Sequence, residues 1–108
     1  MAGMCDGLWI KSLIGGADDG TINIVEDLTG LIGGKHNKSR KGIFGTCDNG
    51  ASHITFVRFE KGDAVIYHGD IVRVARPVPH FEIRNGSVTV VGKSKKPLAG
   101  DWTAEKQT

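Results

Sequence analysis

No apolar run in this 108-residue chain approaches the about 18 residues that a membrane-crossing helix needs. Helical periodicity is nearly absent as well. The one short candidate, residues 8–14 (LWIKSLI), lies between Gly7 and Gly15-Gly16 and is rich in β-compatible residues, so it reads as strand. Cysteine is scarce: Cys5 and Cys47 stand outside any C-x-x-C spacing, which excludes a zinc ribbon. The start, MAGMCDGLWIKSLIGG, lacks the basic opening and long apolar centre of a secretory signal. Together these features set the expectation of a cytoplasmic protein with two free thiols rather than one disulfide. Without secretion, the glycosylation patterns at Asn37-Lys38-Ser39 and Asn85-Gly86-Ser87 carry no meaning. The formal charge of +2 is too small to argue alone for a nucleic-acid or membrane partner.

Recognisable catalytic and metal motifs are also missing. His36, His53, His68 and His80 form neither H-x-H nor H-E-x-x-H, so no metal and no cofactor is expected. His53 and His68 are placed to meet across a hairpin, where partly exposed polar histidines are the expectation. Asp18-Asp19-Gly20 is a turn without EF-hand spacing. The stretch from Gly86 to Ser94 puts five residues between its glycines where a P-loop has four, and it lies among strands. Cys47 adjoins Asp48, whose carboxylate disfavours a thiolate. No nucleophile comes with an evident base, and the reading leans away from an enzyme.

What is abundant is glycine, 16 residues, set among short apolar runs. Period-two alternation recurs in 20–26, 52–60, 80–84, 87–92 and 98–106. Asp19-Gly20, Asn49-Gly50 and Asn85-Gly86 tolerate the positive φ of tight turns, and the last, between two alternating runs, reads as a hairpin. Further strands are expected at 7–14, 28–33, 41–47, 63–68 and 70–76, with Pro77 and Pro79 interrupting the sheet. A length of 108 residues fits one domain, residues 1–108. With almost no helix to cover it, the sheet has to cover itself. The expected fold is all-β, a small antiparallel up-and-down β-barrel, with an open β-sandwich completed by dimerisation as the alternative.

Both tryptophans follow a glycine by two positions, Gly7-Leu8-Trp9 and Gly100-Asp101-Trp102. On the first and last strands of a barrel they would be neighbours, and Trp9 and Trp102 are the expected closure of one barrel end. In these residues, in Ile43-Phe44-Gly45-Thr46 leading through Asn49-Gly50 to Ile54–Arg58, and in Leu98–Ala104, the chain resembles the calycin-like proteins, the lipocalins, fatty-acid-binding proteins and avidins. The resemblance touches about a third of the chain. It implies non-catalytic binding of a small apolar or amphipathic ligand inside the barrel, with Phe44, Phe56, Tyr67 and Phe81 as its lining.

A rival function is written in charge. Residues 35–41 (KHNKSRK) hold Lys35, Lys38, Arg40 and Lys41 without an acid, and Lys93, Lys95 and Lys96 form a second basic group. Such loops suit an anionic ligand; nucleic acid is the less favoured partner, because no aromatics are interleaved. A third class is an oligomeric structural or interaction protein. The segments Thr55–Phe59 and Ala64–Tyr67, apolar on both faces, point to a possible homo-oligomer.

Overall fold

The alternation read from the sequence becomes strand pairing through most of the described residues. The computed structural model describes residues 3–13, 20–36, 42–60, 62–92 and 101–107. Among them are eight strands and no helix: β1 (Gly7–Leu13), β2 (Gly20–Glu26), β3 (Leu31–His36), β4 (Gly42–Asp48), β5 (His53–Glu60), β6 (Asp63–Val74), β7 (His80–Gly92) and β8 (Asp101–Lys106). Each pairs antiparallel with the next in sequence, and β8 returns to β1, closing an up-and-down barrel. Closure removes the two sheet edges that an open sandwich would have exposed.

Ten expected segments condense into eight strands because two breaks are bulges. His68-Gly69-Asp70 does not end a strand; β6 runs through it with a register shift between His68 and Asp70. Asn85-Gly86 does not make a hairpin either. Asn85 takes φ 54° inside the continuous β7, where the pairing with β8 shifts between Ile83 and Gly86. The positive φ serves a bulge, which turns the strand sharply and keeps it in the wall. The room it makes is filled by Trp102. A Cβ on Gly86 would collide with the Trp102 backbone oxygen and indole, and one on Gly69 would strike Ile83.

Inward-facing side chains form one core. It includes Trp9, Ile22, Ile24, Ile43, Ile54, Phe56, Tyr67, Ile83 and Trp102, all fully buried. Phe56 stacks on Tyr67 with ring centroids 4.7 Å apart, and Trp102 meets both rings edge-on at 5.5 and 5.6 Å. Offset stacks and T-shaped contacts are the arrangements that aromatic quadrupoles favour.

The two ends of the barrel differ. At the end where β1 begins, residues 3–6 fold across the opening. The Cys5 amide donates to Glu26 Oε1 (3.0 Å), the Glu26 amide to Asp6 Oδ1 (2.9 Å), and Asn49 Nδ2 to Glu26 Oε2 (2.8 Å). Cys5 is joined to Cys47 of β4 by a disulfide, a correction to the expected free thiols. The inward alternation of β4 places Cys47 beneath the amino-terminal segment, 42 residues away in sequence. This is the capped end. At the far end β1, β3, β5 and β7 finish.

Candidate functional site

Three cationic or titratable side chains occupy core positions close to the far end. Lys11 of β1, His36 of β3 and Arg58 of β5 are each almost completely buried. Each follows an apolar inward residue by two or four positions: Trp9 before Lys11, Ile32 before His36, Phe56 before Arg58. The strand period therefore aims all three into the barrel. Lys11 Nζ donates to the Tyr67 hydroxyl at 3.4 Å and lies 4.7 Å from the ring centroid, and the Arg58 guanidinium carbon stands 5.9 Å from the same ring. Two basic side chains thus converge on one aromatic ring, where the ring quadrupole attracts a cation. The interior is graded, from an apolar, disulfide-capped end through an aromatic middle to a cationic end.

The expected lining residues separate. Phe56 and Tyr67 are together in the barrel, and they fill its middle. Phe81 is partly buried and packs against the core near the capped end, with Lys106 Nζ 5.4 Å from its ring. Phe44 is a correction: it is 62% exposed on the outer face. Ile43 and Cys47 of the same strand point inward, and alternation sends Phe44 out. The tryptophans are both fully buried, but they do not close one end together. Trp9 pairs with Lys106, whereas Trp102 pairs with Leu13, four residues or about 13 Å along the ladder. Trp9 Nε1 donates to the Cys5 carbonyl (2.9 Å) under the cap. Trp102 Nε1 donates to the His68 and Ser87 carbonyls (2.9 and 3.1 Å), which the two bulges turn toward it.

Of the basic residues, Lys35 is exposed on β3. Lys38, Arg40, Lys41, Lys93, Lys95 and Lys96 lie outside the described residues. The strand ends that flank them, His36 and Gly42, Gly92 and Asp101, all belong to the far end of the barrel. Sequence reasoning missed Lys11, His36 and Arg58 as an interior group. The available signal was parity, since each falls in register with the apolar inward positions of its strand.

The outer face carries one histidine pair and one histidine–carboxylate pair. His53 and His68 do meet, with ring centroids 5.9 Å apart, and both are partly exposed. Asp70 accepts from His53 and from Asn85, and these bonds, the first above all, lower its pKa. Near the capped end His80 Nδ1 donates to the Val78 carbonyl (2.6 Å), and Nε2 lies 2.8 Å from Glu82 Oε2. The carbonyl first and Glu82 second raise the His80 pKa, while His80 and then Arg84 lower that of Glu82.

Comparison with known proteins finds no matching family, no similar curated protein and no similar solved structure.

Proposed function

We propose that this chain is a non-catalytic, calycin-like binding barrel whose ligand is a small amphipathic anion, its head group held at the far end by Lys11, Arg58 and His36. The observation that carries the reading is the convergence of Lys11 and Arg58 on Tyr67 inside the barrel. Cationic heads set in low-dielectric walls raise the local positive potential and attract anions. A planar guanidinium and a phenol hydroxyl suit a carboxylate or phosphate oxygen, and charge-assisted bonds are the strong ones. The stacked aromatic middle leaves an apolar ligand less room than an empty barrel would, which favours the anionic head over the apolar tail as the source of affinity. Lys35 and the basic segments flanked by far-end strand termini suit the same charge.

The test uses 1-anilinonaphthalene-8-sulfonate as an anionic amphipathic probe and N-phenyl-1-naphthylamine as a neutral one. The anionic probe binds more tightly, its affinity falls with salt, and K11M or R58M weakens it by about tenfold or more, the worth of one charged hydrogen bond. Equal affinity for the two probes, unchanged in both variants, contradicts the reading.

Two further proposals accompany it. The Cys5–Cys47 disulfide supports an oxidising compartment over the cytoplasmic location expected from the chain's start. Exposed Val25, Phe44 and Phe59 on the outer face of β2, β4 and β5 support self-association, which sedimentation at several concentrations reads directly.

A further inference from the structure

On the outer wall near the capped end, the register of β7 and β8 sets Glu82 directly opposite Glu105. Like charges facing each other across strands are destabilising, so the pair calls for a cation between them. His80 Nε2 reaches into this place, 2.8 Å from Glu82 Oε2 and 3.7 Å from Glu105 Oε1. The atoms that face one another are held from behind. The Val78 carbonyl takes the His80 Nδ1 proton, leaving Nε2 as the ring atom that faces the carboxylates. Arg84 donates through Nε and an Nη to Glu82 Oε1 (3.1 and 3.0 Å), leaving Oε2 turned toward His80. A histidine oriented by a carbonyl and a carboxylate oriented by its own partner form the outer support typical of metal ligands.

We propose that His80, Glu82 and Glu105 form a binding site for a divalent transition-metal ion of the zinc type. The distances suit it. Ligand atoms about 2.1 Å from a tetrahedral centre stand about 3.4 Å apart, between the two separations observed here. All three donor atoms lie within 4.8 Å of one another. One nitrogen and two carboxylate oxygens are the mixed set that zinc accepts, while calcium and magnesium prefer oxygen alone. A cleft of about 220 Å³ lined by Pro77, Val78, Lys106 and Gln107 opens beside His80 and Glu105, so a fourth position is accessible to water. The ion binds His80 Nε2 only when that nitrogen carries no proton, so binding competes with protonation of the ring. The site stands on the outer wall and is independent of the interior anion site.

The test is titration of the metal-stripped full chain with Zn²⁺ by calorimetry at neutral pH, together with nitrogen-15 spectra of the histidine rings. One equivalent binds, the His80 Nε2 resonance moves to a coordinated position, and E105Q weakens binding by about tenfold or more. Glu105 is largely exposed, so E105Q leaves the core untouched. H80N gives the same loss, and its circular dichroism reports whether the fold is kept. Unchanged affinity in E105Q, a Zn²⁺ response confined to His36, His53 or His68, or a dissociation constant weaker than about 1 mM overturns the proposal.

Discussion

At the scale of single residues, parity decides what a side chain does here. Phe44 and Phe56 belong to paired strands, yet one is mostly exposed and the other fully buried. Phe44→Ser is accordingly expected to change stability by about 0.5 kcal/mol or less, as surface positions do. Phe56→Ala removes one member of the aromatic cluster and is expected to cost about 3–5 kcal/mol. Urea unfolding of the two variants checks the difference; similar losses would place Phe44 in the core. Asp27 acts through its charge. Its Oδ1 accepts from the Thr29 hydroxyl, the Thr29 amide and the Leu31 amide, bonds that hold the turn between β2 and β3, and the Thr29 hydroxyl does most to lower its pKa. A lowered folded-state pKa means stability that is present above the ordinary aspartate value of 3.8 and lost as pH falls through the folded-state value. Thermal melts in that acid window are expected to show a pH dependence that D27N reduces.

At the scale of elements, the two bulges in β6 and β7 are what the aromatic middle is built around. They turn two carbonyls toward Trp102 Nε1 and set Gly69 and Gly86 beside its ring and Ile83. Gly86→Ala pushes a methyl into Trp102 and is expected to destabilise by about 1–3 kcal/mol, the usual range for overpacking. Fluorescence of Trp102 during chemical unfolding measures it. The same elements show where the sequence was legible. Most strand positions and the closed all-β fold followed from alternation, and β2 and β5 fall close to their expected ranges. The merging of 80–84 with 87–92 did not, because Asn-Gly serves a hairpin and a bulge equally well by its local φ. Only the long-range demand of Trp102 for space selects the bulge. The interior Lys11, His36 and Arg58 were hidden for a related reason: a charged residue at an inward position looks like a break in the pattern until closure brings such positions together. The pairing of Glu82 with Glu105 likewise depends on a register shift that no short motif signals.

For the whole molecule, the disulfide and the cationic interior give the barrel a direction. Cys5–Cys47 ties the amino-terminal cap to β4 across a separation of 42 residues. A crosslink closing a loop of that length is expected to contribute about 4 kcal/mol by restricting the unfolded chain. Reduction, or the double change C5A/C47A, is expected to lower stability by that order in denaturant titrations while leaving the far end able to bind an anion. Toward the opposite end the buried basic side chains Lys11, His36 and Arg58 take the place of apolar core residues.

The most direct measurement is amide and side-chain chemical-shift mapping by NMR during titration with an anionic amphipath such as dodecyl phosphate. The account predicts perturbations centred on Lys11, His36, Arg58 and Tyr67, and little change at the Cys5–Cys47 cap. Perturbations centred instead on Phe44 and Phe59 of the outer wall, or none at saturating ligand, would contradict it.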